Sequence, residues 1–367
     1  MKHLELGFIG FGLIGGSIAR SLKKKNLDLT ISVYTRRHNP DLEQGVEEGI
    51  IDRLLYTVDE QLSSCDIIFL CAPVKKNEEF LPLLKNIIKP ECILTDVGSV
   101  KGNICRAAAE NGLSRQFIGG HPMAGSEKTG YISSTASLLE NAYYLLTPTP
   151  DNRPEDLALL RKLVDYTGAI SVLLSPEKHD EITAAISHVP HIIAVSLVNL
   201  VRENDTEEQN MKTFAAGGFK DITRIASSSP AMWQDICIAN KDSIDRFLGY
   251  FETQIREFRE MIASSDGKGI YNAFQTAGDY RNSIPNTKNG MIARSYELYV
   301  NIDDRAGAIA SMTSILSEHG ISIKNIRIIH NREFADGVLK LDLNSQEDAH
   351  KSKQILEQKG YEVIDRH

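Results

Sequence analysis

Short apolar runs alternate with helical stretches through the first 173 residues of the chain. Each run is almost continuously hydrophobic, which is typical of strands buried on both faces of a parallel sheet. The runs cover residues 4–9, 31–34, 67–72, 92–97, 117–118, 143–146 and 170–174. This alternation predicts an α/β fold class for residues 1–173, with a Rossmann-like parallel sheet that helices cover on both sides.

Helical periodicity replaces the strand pattern from residue 174 to residue 281. Apolar side chains recur there at intervals of three and four residues, as in the stretches 182–197 and 244–258. Pro190 falls within the first stretch and predicts an irregular backbone beside His188 and His191. A helical block this apolar is expected to pack against a second copy, so we predict an all-helical dimerisation domain in a homodimer or dimer-based oligomer.

A turn-rich segment at residues 282–290 follows and predicts a linker. Residues 294–367 then show the order strand, helix, strand, strand, helix, strand. This order predicts a ferredoxin-like α+β domain. The chain is therefore expected to contain three domains, at residues 1–173, 174–281 and 294–367.

Composition narrows the class of protein. A length of 367 residues fits two or three domains, and a net charge of −8 argues against nucleic acid or an anionic membrane as a partner. We expect no signal peptide and no apolar run long enough to span a membrane. The five cysteines form no Cys-x-x-Cys pair, which predicts reduced, buried thiols in a cytoplasmic protein.

A glycine-rich motif follows the first predicted strand. It consists of Gly10, Gly12 and Gly15, with Leu13 and Ile14 between the last two glycines. Between a strand and a helix, such glycines allow a tight turn and a close approach of pyrophosphate to the helix N-terminus. The motif therefore predicts a dinucleotide cofactor.

The choice of dinucleotide depends on the end of the second strand. An NAD site usually has an acidic residue there, whereas this chain has Thr35. Arg36 and Arg37 follow, and they can bind a 2′-phosphate, stack on adenine or lie in solvent. NAD and NADP both stay open at this point.

Two side chains are candidates for the chemistry. Ser99 follows the fourth predicted strand, where it can bond a substrate hydroxyl or cap the next helix. His121 follows the next strand, at the same edge of the sheet. An imidazole with an ordinary pKa of about 6.5 suits the acceptance of a hydroxyl proton, which predicts activity that rises between pH 5.5 and 8. A structural histidine is the alternative.

A second polar cluster falls in the helical region. His188 and His191 share one helix face, but no further metal-ligand pattern accompanies them, so we expect His191 to bind an anion and no metal to be present. Lys220, Asp221 and Arg224 lie together downstream. Arg224 can hold a carboxylate through two parallel bonds, and a cluster of surface salt bridges is the alternative.

Together these motifs resemble bacterial prephenate dehydrogenases with a C-terminal ACT domain. The resemblance covers essentially the whole chain, and its motifs are GLIGGS (12–17), DVGSVKG (96–102), GGHPMAGS (119–126), SHVPH (187–191) and GGFKDITRIA (217–226). It implies oxidation of prephenate to 4-hydroxyphenylpyruvate with loss of carbon dioxide, in tyrosine biosynthesis. Members of the family mostly use NAD, so we expect NAD, with NADP open because of Thr35.

The resemblance also assigns roles to individual residues. It implies that His121 accepts the hydrogen bond of the hydroxyl at C4 of the substrate ring and that Ser99 contacts this hydroxyl. His191 and Arg224 match residues that hold the substrate carboxylates. The polar residues expected around the pocket are Ser126, Glu127 and Lys220. The expected cofactor contacts are Gly10, Gly12, Leu13, Ile14, Gly15, Thr35 and Arg36.

In the C-terminal domain the resemblance implies effector contacts at Asp304, Gly307 and Asn325. Backbone donors at Gly307 suit a ligand carboxylate, and Asp304 or Asn325 can take its ammonium group. We expect feedback inhibition by L-tyrosine. A purely structural dimerisation domain is the alternative, because the fold alone does not establish a ligand.

Three other functions fit part of the pattern. An NADP-dependent arogenate dehydrogenase performs the same chemistry on an amino substrate. A 3-hydroxyacid dehydrogenase of related architecture leaves the motifs of His121 and Arg224 unexplained. An amino-acid-sensing protein that is not an enzyme does not need Ser99, His121 and Arg224 together.

Overall fold

The computed structural model describes residues 3–125, 128–284, 296–303, 305–329 and 337–364. The chain divides into two compact units, residues 1–290 and residues 291–367. The strands of the first unit are β1 Leu4–Ile9, β2 Leu29–Tyr34, β3 Arg53–Leu55, β4 Ile67–Leu70, β5 Ile93–Asp96, β6 Gly119–Pro122, β7 Tyr143–Thr147 and β8 Ile170–Leu173. Its helices are α1 Leu13–Lys24, α2 Pro40–Glu47, α3 Val74–Leu84, α4 Gly102–Glu110, α5 Pro154–Tyr166, α6 Pro176–Thr183, α7 Val189–Asn204, α8 Asn210–Thr213, α9 Gly217–Thr223, α10 Pro230–Ala239, α11 Lys241–Ala263 and α12 Gly267–Ser283. Shorter helical turns cover Glu60–Leu62, Tyr131–Ser133 and Arg224–Ser227 in the 3-10 form and Ala184–His188 in the π form.

Five strands form a parallel sheet in the order β3-β2-β1-β4-β5. At its centre, Leu6 and Phe8 pack on one face with residues of α1 and α5, whereas Ile9 packs on the other face with residues of α3 and α4. The predicted Rossmann-like sheet is confirmed for these strands. The prediction lacks β3 because only Leu55 of its three residues is buried, so the segment shows no apolar run.

The remaining three strands depart from the prediction of a single parallel sheet. They form a second sheet in the order β6-β7-β8, in which β6 and β7 are antiparallel and β7 and β8 are parallel. A parallel bridge between Leu94 and Phe117 joins β5 to the chain that leads into β6. Hydrophobic periodicity identifies buried strands but does not encode their direction, so it does not reveal this reversal.

Helices α6 and α7 continue into each other through the π turn Ala184–His188. Pro190 lies in the first turn of α7, directly after the π turn, where it has no N–H to donate. The predicted irregular backbone beside His188 and His191 is therefore confirmed.

The same continuous helix corrects one expectation. Pro176–Asn204 has 29 residues and is long and apolar enough to cross a membrane by length and composition alone, so the expectation that no run is long enough is wrong. Apolar residues occur on several faces of this helix. Those that do not pack inside the domain are exposed, as Val195 and Leu200 are. Length and composition of one helix are weak evidence for a membrane.

The cysteines are free thiols. Cys65 and Cys92 are buried as predicted, whereas Cys71, Cys105 and Cys237 are only partly covered. Burial raises the pKa of Cys65 to about 12. That thiol is protonated near pH 7 and does not act as a nucleophile.

The second unit has the predicted order of elements. They are β9 Tyr296–Ile302, α13 Ala308–Glu318, β10 Ile323–Ile329, β11 Gly337–Leu343, α14 Gln346–Gln358 and β12 Val363–Ile364. The strands form one antiparallel sheet in the order β10-β11-β9-β12. Its core includes Val300, Met312, Leu341 and Leu356, all fully buried. The ferredoxin-like prediction is confirmed.

Candidate active site

The glycine motif forms the turn between β1 and α1, the context that a dinucleotide site needs. Gly10 has a φ of +84°, and a Cβ there would lie 2.6 Å from the backbone nitrogen of Ala72, so glycine is required. A Cβ at Gly12 would meet nothing within 4 Å. Among the described residues, no side chain caps the N-terminus of α1, so its first N–H groups can bind an anion.

The end of β2 lies beside this turn. β2 runs parallel to β1 with Tyr34 next to Ile9, so Thr35 reaches the same edge of the sheet. Its hydroxyl donates to the carbonyl of Arg37 at 2.9 Å, while the side chains of Arg36 and Arg37 are exposed. The position expected to contact the ribose therefore has no negative charge of its own.

An ion pair between Asp96 and Lys101 fixes the loop after β5. Both side chains are buried, with exposures of 1% and 0%. The carboxylate also accepts the N–H of Gly98 at 2.9 Å and that of Gly120 at 3.1 Å, and the ammonium donates to the carbonyl of Gly120 at 2.8 Å. These bonds hold the loop that contains Ser99 against β6. The motif at residues 96–102 signals the loop but not this pairing.

His121 lies within β6 and pairs with Leu145 of β7, rather than following the strand as predicted. The flanking glycines serve close packing here. A Cβ at Gly120 would lie 2.6 Å from the carbonyl oxygen of Asp96, and one at Gly119 would clash with the hydroxyl of Thr147. Gly119 therefore lets β6 approach β7, and Gly120 lets it approach the end of β5, which brings His121 to the edge where Asp96 lies.

The environment of His121 keeps its ring uncharged. Its Nδ1 lies 2.8 Å from Nε2 of His179. Burial, followed by the nearby charges of His179, Lys101 and His188, holds the pKa of His121 well below its ordinary value. The imidazole is therefore neutral near pH 7 and able to accept a proton.

His179 and Asp180 are two candidates that the sequence reasoning missed. Nδ1 of the fully buried His179 lies 2.8 Å from Oδ1 of Asp180. The carboxylate oxygens of Asp180 accept the backbone N–H groups of Lys101 at 2.7 Å and Gly102 at 2.8 Å, so Asp180 places negative charge at the N-terminus of α4. Asp180 and Lys101 are 79 positions apart, so no spacing pattern in the sequence predicts their contact. Ser99 is not the N-cap of α4, because Lys101 occupies that position.

His188 is a buried structural residue. The amide nitrogen of Asn240 donates to its Nδ1 at 3.1 Å, and burial lowers the pKa of His188 to about 4. Within the described residues, no group of three or more His, Cys, Asp or Glu side chains is arranged to hold a metal ion.

His191 stacks on the ring of Trp233, with centroids 3.8 Å apart. Its Nδ1 donates to the carbonyl of Ser187 at 2.8 Å. Burial lowers the pKa of His191, and the nearby Arg224 lowers it further although the bond to Ser187 opposes the shift. The neutral ring therefore presents a lone pair at Nε2, and it must take up a proton before it can bond a carboxylate.

The remaining predicted polar residues differ in their placement. Arg224 begins the 3-10 turn that packs against α7, and its exposed side chain is close enough to influence His191. Lys220 is exposed on α9, where its backbone N–H donates to the carbonyl of Ala216 at 3.1 Å. Ser126 and Glu127 lie outside the described residues.

In the second unit, Gly307 precedes α13 with a φ of +86°, a conformation that favours glycine. The side-chain amide of Asn325 donates to Oδ2 of Asp342 at 3.2 Å, so this expected effector contact is engaged within the sheet. Asp304 lies outside the described residues.

Comparison with known proteins gives consistent matches. Residues 18–173 match the prephenate dehydrogenase nucleotide-binding domain, and residues 175–276 match the prephenate dehydrogenase dimerization domain. The chain is 40% identical to prephenate dehydrogenase of Bacillus subtilis over 97% of this chain and 96% of that protein. Prephenate dehydrogenase from A. aeolicus, solved with hydroxyphenyl propionate and NAD+, is 32% identical with a TM-score of 0.73, covering 78% of this chain and 99% of that one. Synechocystis arogenate dehydrogenase is 28% identical with a TM-score of 0.69, covering 77% of this chain and 100% of that one.

Proposed function

Because the chain belongs to the prephenate dehydrogenase family, we propose that it catalyses the NAD-dependent oxidative decarboxylation of prephenate to 4-hydroxyphenylpyruvate. The observation that supports this proposal most strongly is the neutral His121 on β6. It lies against the carboxyl end of β5, the edge at which ligands bind in parallel sheets.

The glycine turn fits NAD. Gly10 makes the tight turn, Gly12 leaves open space, and the uncapped N-terminus of α1 offers N–H donors for pyrophosphate. Bound there, NAD supplies the nicotinamide that accepts hydride from the substrate ring. Thr35 can offer a hydroxyl to the ribose, while Arg36 and Arg37 give NADP an alternative contact.

We assign proton acceptance to His121. Its Nδ1 is engaged by His179, so Nε2 is the nitrogen that faces the substrate hydroxyl. As hydride departs, positive charge develops on this hydroxyl, and its proton moves to Nε2. Ser99, on the loop held by the ion pair, contacts the same oxygen. Loss of the ring carboxylate as carbon dioxide then aromatises the ring and leaves a phenolate oxygen, which takes the proton back from Nε2. Aromatisation makes the reaction effectively irreversible.

Arg224 is assigned to a substrate carboxylate. An exposed guanidinium beside His191 can form two parallel charge-assisted bonds, which neither histidine can supply. We propose that Lys220, Ser126 and Glu127 contribute further polar contacts to the substrate. His191 contributes either as a protonated donor to a carboxylate or, when neutral, as an acceptor through Nε2.

One observation favours arogenate as a second candidate substrate. The lone pair on neutral His191 suits an ammonium group, which arogenate has and prephenate lacks. We would follow reduced-nicotinamide absorbance with prephenate or arogenate, each with NAD or NADP. The proposal expects prephenate with NAD to give the largest kcat/KM. Preference for arogenate would move the assignment to arogenate dehydrogenase, and no turnover in any combination would contradict a dehydrogenase.

We propose that the helical region forms a homodimer in the cytoplasm. Its match to a dimerization domain and its exposed apolar side chains support this, among them Tyr250, Ile262, Tyr271 and Phe274. Sedimentation of the full chain at micromolar concentration should show a dimer. A monomer at that concentration would contradict the proposal.

We propose further that L-tyrosine binds the second unit and inhibits the enzyme. Gly307, at the N-terminus of α13, supports a carboxylate contact there. Removing the residues from Asn289 onward should abolish tyrosine sensitivity while turnover continues. Equal sensitivity in the truncated enzyme would show that tyrosine competes at the active site instead.

A further inference from the structure

A continuous chain of hydrogen bonds runs inward from His121. Nδ1 of His121 lies 2.8 Å from Nε2 of His179, and Nδ1 of His179 lies 2.8 Å from Oδ1 of Asp180. The two rings are 5.0 Å apart between centroids. Of these three residues, only His121 belongs to a sequence motif that predicts a substrate or cofactor contact.

Asp180 fixes the direction of every bond in this chain. A carboxylate can only accept, so Nδ1 of His179 carries a proton and donates to Asp180. In a neutral His179, Nε2 is then unprotonated and must accept from Nδ1–H of His121. By the same reasoning Nε2 of His121 has no proton. The hydrogen-bond network therefore selects the one tautomer of His121 that can act as a base at Nε2.

This chain of hydrogen bonds is held rigid at the Asp180 end. The carboxylate of Asp180 is held by the backbone N–H groups of Lys101 and Gly102, at the N-terminus of α4. His179 is completely buried, so water does not compete for its two nitrogens. A His179 ring fixed in this way keeps its Nε2 as an acceptor beside Nδ1 of His121, which disfavours the opposite tautomer of His121.

We propose that His179 and Asp180 are positioning residues for the dehydrogenase reaction. They hold His121 as the Nδ1–H tautomer and stabilise its imidazolium once Nε2 has taken the hydroxyl proton. That proton does not pass on to Asp180: it stays on Nε2, where the carboxylate of Asp180 stabilises the new positive charge through the intervening ring, until it returns to the phenolate oxygen formed by decarboxylation. The proposal rests on the proposed role of His121 as the base.

The first test is independent of turnover. In the full-length enzyme with 15N-labelled histidine, the ring-nitrogen shifts report which nitrogen of each histidine carries the proton. The signal of His121 is identified by its loss in His121→Asn. We expect Nδ1–H for His121 and for His179 at pH 7.5. An Nε2–H tautomer of His121 would overturn the proposal whether or not prephenate is the substrate.

The second test compares two substitutions of His179. His179→Leu removes the acceptor, so kcat with the preferred substrate should fall about a hundredfold while KM stays nearly unchanged. In His179→Gln the side-chain amide oxygen can take the place of Nε2 and accept from His121, so kcat should stay within tenfold of the wild-type value. Equal losses in both variants, or a rise in KM with kcat unchanged, would overturn the positioning role.

Failure of the two proposals can be told apart. A wild-type enzyme that turns over neither prephenate nor arogenate contradicts the proposed function, whatever the tautomer. An active wild type whose kcat is unaffected in folded His179→Leu contradicts the positioning role alone. If His179→Leu does not fold, the ring-nitrogen shifts of the wild type decide.

Discussion

Lys101 donates to the carboxylate of Asp96 inside the protein, with both side chains closed to solvent. The pair lies under the loop that contains Ser99 and the strand β6 that contains His121, because Asp96 also bonds Gly98 and Gly120. Burial of two charges is unfavourable unless each is fully satisfied by partners. The geometry of the loop after β5 therefore depends on the contact between Asp96 and Lys101, which are five residues apart.

Breaking this pair should destabilise the fold. Lys101→Met leaves the carboxylate of Asp96 buried without its cation, and the free energy of unfolding should fall by about 3–5 kcal/mol. The double variant Lys101→Met with Asp96→Asn removes both charges and should lose less. Urea denaturation measures both. A single variant as stable as the wild type would show that the pair has no structural role.

The pH profile should be flat through the neutral range. Burial and the charges of His179, Lys101 and His188 hold the pKa of His121 well below 6.5. A base works when unprotonated, so a lowered pKa moves the loss of activity to lower pH. An ordinary histidine would instead give a rise in activity between pH 5.5 and 8. The acid limb of kcat/KM should be centred below pH 6.5, and a limb centred at or above 6.5 would contradict this environment.

Local sequence pattern predicts most elements of the fold, but not the features that depend on packing between distant segments. The five-stranded sheet, the helical region and the ferredoxin-like order follow from periodicity, because burial on one or both faces imposes spacing on the sequence. The reversed direction of β6 does not follow from periodicity. Gly119 and Gly120 interrupt the apolar run, although in the structure they permit close packing of the strand. The expectation that His121 follows the strand is wrong for this reason, because His121 lies within β6.

Some residues of the candidate site can be predicted from sequence and others cannot. The glycine turn, Ser99, His121 and Arg224 stand in short motifs that can be recognised from sequence. His179 and Asp180 cannot, because they contact β6 and the N-terminus of α4, about 60 to 80 positions away in the sequence. A lone His-Asp pair in a helix usually indicates a solvated face, and only packing against α4 and β6 gives it a role.

The glycine turn can be tested apart from catalysis. Gly12→Ala places a methyl group where no protein atom lies within 4 Å, so the fold should tolerate it. The same methyl group should obstruct pyrophosphate and weaken NAD binding by about tenfold or more. Gly249→Ala on α11, where a Cβ also meets nothing within 4 Å, is the matched control. Titration calorimetry with NAD would contradict the assignment if both variants bound NAD like the wild type.

Arg224 should contribute mainly to substrate binding. Loss of a charge-assisted bond in Arg224→Gln should lower kcat/KM by about tenfold to a hundredfold, chiefly through KM. Arg202→Gln is a control, because Arg202 is exposed on α7 and paired with its neighbour Glu203. Steady-state kinetics separate the two terms. An unchanged KM in Arg224→Gln would remove this arginine from the carboxylate site.

The most direct test of the account is the kcat of His121→Asn with prephenate and NAD. Removal of the proton acceptor should lower kcat by about a hundredfold to ten-thousandfold, while the affinity for NAD measured by calorimetry stays within threefold. A folded His121→Asn enzyme that keeps the wild-type kcat would contradict the assignment of His121 as the base and, with it, the mechanism derived from this site.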